Sequence, residues 1–207
     1  MITPALPAEI ELFFDVGSSY SYLAATQAEG LAARTGLPVR FRPFLLGGVF
    51  KATGNDMPAR IPAKARWMMG DMALWSQHYG VPFRVPSRFP MNTLRAQRAL
   101  AGVERAHGPA AVPAFALALF RAYWAEDQDI SADPVIAGAA GAAGLAGAAV
   151  VAAIDQPETK DQLRATTDEA VRRGAFGAPA LFVGDTLFWG NDRLPLLEAY
   201  VARLRGS

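Results

Sequence analysis

The sequence predicts an α/β fold built from a βαβ unit and a ββα unit, with a large α-helical insertion between them. Three observations lead there. Short apolar runs rich in strand formers occur only near the two ends of the chain. Between them, apolar residues recur at three-and-four spacing, the helical period. Glycine, proline and serine mark the points where the period changes. At 207 residues, 52% hydrophobic and 19% charged, the chain is long enough for about one domain with a full core.

Residues 9–14 (EIELFF) read as the first strand. Ser18 or Ser19 can cap a helix running through SYLAATQAEGLAARTG, with Gly36 as its stop. VRFRPF, residues 39–44, alternates and gives the second strand. From Leu45 to Gly174 the pattern is helical, over Pro62 to Tyr79, Asn92 to His107, Val112 to Trp124 and Asp161 to Arg173. Met68, Met69, Met72 and Trp75 form an apolar stripe that reads as core. Ala180 to Val183 and Thr186 to Trp189 then make a hairpin about Gly184-Asp185, and Leu194 to Leu204 closes the chain as a helix. This order is that of a thioredoxin-like sheet, with residues 9–46 and 175–207 as the thioredoxin-like domain and 47–174 as the helical insertion.

Pro134 to Ile154 is uncharged for 21 residues, a length that could span a bilayer. It is almost all alanine and glycine, which gain little from lipid, and aspartates rather than aromatics flank it. A small-residue helical hairpin is expected. The opening MITPALPAEI has no basic stretch followed by an apolar one, so a cytoplasmic location is expected.

Composition narrows the chemistry. With no cysteine, thiol catalysis by the protein, disulfides and thiolate metal sites are excluded. Twenty basic and 19 acidic residues give no field that would favour nucleic acid or an anionic membrane. His78 and His107 lack partners at ligand spacing, so no metal is expected.

Three segments are candidates for chemistry. In FFDVGSSYSY a strand ends at Asp15 and Ser18 stands where a helix begins, a place whose free amides and dipole favour an anion. Redox thioredoxins carry C-x-x-C there, whereas this chain reads Ser18-Ser19-Tyr20-Ser21. A serine cannot cycle to a disulfide, but it can donate a hydrogen bond to a ligand thiolate; equally, Ser18 could be a plain helix cap. In FGAP, a cis bond at Pro179 would leave the N–H and C=O of Ala178 open to an extended peptide. In FWGNDR, Asn191 and Asp192 fall at the start of the last helix, either as a cap or as a carboxylate for a ligand ammonium.

These motifs resemble the 2-hydroxychromene-2-carboxylate isomerases, grouped with kappa-class glutathione transferases and related to DsbA-type thioredoxin folds. The resemblance rests on FFDVGSSYSYLA (13–24), LLGGVFKATGN (45–55), PAKARWMMGDM (62–72) and FGAPALFVGDTLFWGNDR (176–193), and it spans nearly the whole chain. It implies that Ser18 contacts the glutathione sulfur, with Ser19 and Tyr20 at the same helix start. It further implies that Ala178 pairs with the cysteinyl backbone, Asn191 and Asp192 hold the γ-glutamyl end, and Asn55 and Lys64 serve a carboxylate. Two departures stand out: Ser19 occupies a position usually held by proline, and Ala178 is smaller than usual.

The activity implied is glutathione-dependent isomerisation of a small aromatic carboxylate, by a homodimer. Lys51, Arg84 and Arg88 are candidate cations for the substrate carboxylate; the alternative for each is a solvated surface charge, the favoured reading for the two arginines. The alternatives are a kappa-type transferase or peroxidase acting on another electrophile, and a thioredoxin-like binding module without catalysis.

Overall fold

In the computed structural model, which describes residues 6–206, the first apolar run becomes β1 (Ile10–Phe14). The segment expected as one helix forms two, α1 (Ser19–Thr26) and α2 (Ala28–Thr35), separated at Gln27. The hydroxyl of Thr26 donates to the carbonyl of Leu23 at 2.7 Å, and the Gln27 side chain donates to that hydroxyl. Such local side-chain bonding competes with the helix ladder and lets the axis turn. Gly36, at φ 61°, ends α2 in the left-handed conformation that a side chain disfavours.

β2 (Val39–Pro43) pairs in parallel with β1, completing the βαβ unit. The insertion follows as α3 (Leu46–Thr53), α4 (Pro62–Tyr79), α5 (Leu94–His107), α6 (Val112–Trp124), α7 (Asp133–Ala142), α8 (Gly147–Ala153) and α9 (Pro157–Arg172). Proline stands in the first two positions of α4, α6, α7 and α9, where its missing N–H costs no helical bond. β3 (Ala180–Val183), β4 (Thr186–Trp189) and α10 (Leu194–Arg205) complete the chain. The sheet order is β2-β1-β3-β4, with β3 antiparallel to both its neighbours.

Alternation along the strands divides the core between the two faces of the sheet. Ile10, Leu12, Phe14, Phe41 and Leu181 join the large cluster that includes α1, α2, α5, α6 and α10. Phe13, Ala180 and Phe182 face the other way, with Phe44, Val49 and Ala170 from the side of α3 and α9. On that second face Arg42 bonds Glu11 and Glu169, Arg173 bonds the same two acids, and both guanidiniums lie over the Phe13 ring.

The small-residue run is the expected hairpin, α7 against α8. A Cβ placed on Gly147 would lie 2.5 Å from the carbonyl oxygen of Ala137, so the two backbones touch there. Among the described residues, no helix is long and apolar enough to cross a membrane.

One expectation fails on α4. Only Met72 and Ser76 of this helix are buried, while Trp67 is 65% and Leu74 68% exposed. Met68 and Trp75 are half-buried and border a cavity rather than the core. The period identified a face correctly; the face looks onto open space.

Candidate active site

The site begins where β1 gives out. Asp15 is 2% exposed, and its carboxylate accepts from the amides of Gly17 and Leu46, each at 2.9 Å, and from the Thr93 hydroxyl. Burial pushes this carboxyl above its ordinary range, and the three hydrogen bonds oppose that shift. Its backbone carbonyl accepts from the Ser18 amide at 2.9 Å, closing the turn.

Ser18 is the N-cap of α1, with its hydroxyl accepting from the Ser21 amide at 3.1 Å. The same hydroxyl donates to the Ala178 carbonyl at 3.2 Å. Cap and site are therefore one residue, and the oxygen bridges two segments 160 positions apart. The amides of Ser19 and Tyr20 have no acceptor among the described residues, as expected for the first turn of a helix.

The Ala178–Pro179 bond is cis. The sequence reading left both backbone groups of Ala178 open; the structure uses the carbonyl for Ser18 and leaves the amide without a partner among the described residues. Gly177 is covered by Trp189, since a Cβ there would lie 2.6 Å from the indole Nε1. Asn55, in the loop after α3, donates from Nδ2 to the Phe176 carbonyl at 2.8 Å and so ties that loop to the cis-proline segment.

Asn191 and Asp192 lie in a 3₁₀ turn (Asn191–Arg193) that precedes α10, rather than in the first turn of the α-helix as expected. Asn191 is 2% exposed, and its Nδ2 is a buried donor without a partner among the described residues. Its carbonyl accepts from the Tyr79 hydroxyl at 3.4 Å. The Asp192 side chain is 44% exposed and lies 3.3 Å from Arg193.

Across from this turn, the Tyr20 hydroxyl donates to Asp71 of α4 at 2.8 Å. Burial, the Asp71 bond and the nearby Asp71 and Asp192 charges all raise the pKa of this phenol, so it stays protonated. Two tyrosines thus link α4 to the site, Tyr20 at α1 and Tyr79 at the Asn191 turn.

Ser18, Ser19, Tyr20, Asn55, Ala178, Asn191 and Asp192, proposed from the sequence, all border one cavity of about 870 Å³. Lys64 borders it too and has no ion-pair partner among the described residues. Its apolar wall comes from Phe50, Met57, Trp67, Met68, Trp75 and Met91. The candidate cations Lys51, Arg84 and Arg88 do not border it: Lys51 is exposed on α3, and the two arginines face Asp127 and Asp129. The cations at the cavity are Arg60, Lys64 and Arg193.

Sequence reasoning missed Asp15, Asp71, Tyr79 and Thr93. Only Asp15 left a signal, as a carboxylate directly after an apolar strand.

The donor set suits a ligand such as glutathione, which carries a thiol, two carboxylates and one ammonium. Free amides at α1 suit a thiolate, the unpaired Ala178 amide suits a peptide carbonyl, and the buried Asn191 donor and Lys64 suit carboxylates.

Residues 9–202 match the DSBA-like thioredoxin domain family. The chain is 32% identical over 194 residues to the 2-hydroxychromene-2-carboxylate isomerase of Sphingobium xenophagum, covering 93% of this chain and 97% of that protein. It is 31% identical over 204 residues to human glutathione S-transferase kappa 1, covering 93% and 90%. A solved 2-hydroxychromene-2-carboxylate isomerase superposes with a TM-score of 0.83 at 28% identity, covering 95% of each chain.

Proposed function

The chain belongs to the DsbA-like thioredoxin domain family, among the 2-hydroxychromene-2-carboxylate isomerases and kappa-class glutathione transferases, and from that premise we propose that it is a glutathione-dependent isomerase. Its substrate in this reading is 2-hydroxychromene-2-carboxylate, converted to trans-o-hydroxybenzylidenepyruvate in aromatic catabolism. The observation that carries the reading is that three separate segments bring a helix-start serine, a cis-proline edge and an acidic turn to one cavity with a large apolar remainder. A cavity of about 870 Å³ lies in the upper part of the range usual for small-molecule sites.

Bound there, glutathione would supply a thiolate for reversible addition to the substrate double bond; opening of the cyclic hemiketal C–O bond would free the former double bond to rotate before the thiolate departs. The protein's share is positioning and charge. Ser18 can turn its hydroxyl from Ala178 toward the sulfur, and the amides of Ser19 and Tyr20 add the positive end of α1. An unperturbed thiol, with a pKa of about 8.5, is only slightly ionised at neutral pH, so this stabilisation sets how much thiolate is present. The Ala178 amide pairs with the cysteinyl carbonyl, while Asn191 and Asp192 take the γ-glutamyl end. Asn55 and Lys64 serve the remaining carboxylate. Of the cavity cations this leaves Arg60, 2.9 Å from Asp56, and Arg193, 3.3 Å from Asp192, for the substrate carboxylate. The apolar wall keeps water from the reacting carbons.

The test is a spectrophotometric assay on 2-hydroxychromene-2-carboxylate with and without glutathione. Turnover that appears only with glutathione supports the reading, and absence of turnover overturns it. The kappa-class relative favours a second reading, in which the same glutathione site serves a transferase or peroxidase. A panel of electrophiles and peroxides separates the two, and a stoichiometric glutathione complex without turnover of any of them points to a binding module. The proposal includes a cytoplasmic location and a homodimer, the latter supported by the exposed Leu74 of α4. Sedimentation at two concentrations tests the assembly. It also keeps the division into a thioredoxin-like part (9–46 and 175–207) and an insertion (47–174).

A further inference from the structure

We infer that Asp15 is the positioning residue of this site, a buried carboxylate whose two oxygens hold the Ser18 turn and the α3 wall of the cavity in one geometry. The inference rests on the glutathione-site reading for its kinetic consequence, but its geometry stands without it. Oδ1 accepts from the Gly17 amide in the turn, and Oδ2 accepts from the Leu46 amide at the start of α3. The Thr93 hydroxyl, at the start of α5, donates to the same side chain. The turn is pressed onto that third segment, because a Cβ at Gly17 would lie 2.8 Å from Thr93 Cγ2. Gly17, Ser18, Leu46, Gly47, Phe50 and Thr93 all border the cavity, so one side chain fixes three parts of its rim.

The choice of a carboxylate needs explaining, since Asp15 is buried and has no ion-pair partner among the described residues. An uncompensated buried charge is costly, and a single hydrogen bond could be met more cheaply by a neutral group. What an ionised carboxylate offers is acceptor capacity at both oxygens. Asparagine in the same place would turn an NH2 donor toward one of the two backbone amides. The demand for two acceptors facing two separate segments accounts for the residue type. Asp15 borders the cavity but is only 2% exposed, and it acts through the position of Ser18, whose amide is bonded to its carbonyl, and through Leu46.

The test compares wild type with Asp15→Asn, using Asp15→Ala only if that variant folds. In the free protein, amide exchange in Asp15→Asn should rise about tenfold or more at Gly17 or Leu46, while β3 and β4 keep their protection. With glutathione and substrate, kcat per folded molecule should fall about 10²-fold while KM stays within about threefold, and the absorbance titration of bound thiolate should move to higher pH. A lowered melting temperature with unchanged exchange at both amides, and unchanged kcat and thiolate titration, would mean a purely structural role and overturn the inference. A wild type that binds no glutathione would overturn the functional reading instead, leaving the exchange comparison to decide the clamp.

Discussion

Ser18 performs two tasks with one oxygen, capping α1 through the Ser21 amide and reaching across to Ala178. Removing it should therefore separate binding from chemistry. Ser18→Ala is expected to lower turnover about 10²-fold and to raise the pKa of bound glutathione, with affinity much less affected. Unchanged thiolate absorbance in that variant would return the residue to a capping role. Tyr123 offers a second test, unconnected with the ligand. It is fully buried, and its hydroxyl has no partner among the described residues. Burial, reinforced by the charges of Asp127, Asp15 and Asp129, raises its pKa from 10.0 to about 12. The folded state then keeps a proton that the unfolded chain releases, so stability falls as pH rises from 10.0 through about 12. Tyr123→Phe should reduce that slope in denaturant titrations at alkaline pH. At neutral pH it should cost nothing or stabilise by about 1 kcal/mol, because it deletes an unsatisfied buried group.

The elements show which parts of the fold the sequence made legible. The β3–β4 hairpin could be placed to the residue because Gly184, at φ 60°, marks its turn between two apolar runs. Ser18, Ala178 and the Asn191-Asp192 pair were readable for a related reason, each standing at a junction marked by glycine or proline. The failures involve partners distant in sequence. The hydrogen bond from Tyr20 to Asp71 spans 51 positions, and no local period announces it. The stripe on α4 has the spacing of a core face, but period does not say whether a helix or a cavity lies opposite. For α7 and α8 the composition did hold the answer. Alanine and glycine allow the backbones to meet, so Gly147→Ala must push α8 away from the Ala137 carbonyl. About 2 kcal/mol of stability should be lost, read as a lower urea midpoint at unchanged m-value.

Across the whole molecule, the insertion returns to the sheet through charge as well as apolar packing. Arg42 on β2 and Arg173 after α9 share Glu11 of β1 and Glu169 of α9, above Phe13 and Phe182. The Arg42 side chain is 10% exposed and that of Glu11 16%. Arg42→Ala leaves Glu11 and Glu169 to Arg173 alone and should cost about 2 kcal/mol in urea unfolding. Arg164→Ala, which removes a pair exposed on both sides, should leave the midpoint where it was.

The makeup of the cavity wall also decides how this protein meets an oxidant. The chain has no thiol to lose, yet among the described residues Met57, Met68 and Met91 border the cavity. A thioether that gains an oxygen becomes a polar sulfoxide, which would wet the apolar part of the wall. Peroxide would then spare the Ser18 end of the cavity and spoil the apolar end. Because methionine sulfoxide can be reduced enzymatically, such an injury is one a cell can repair without making the protein anew.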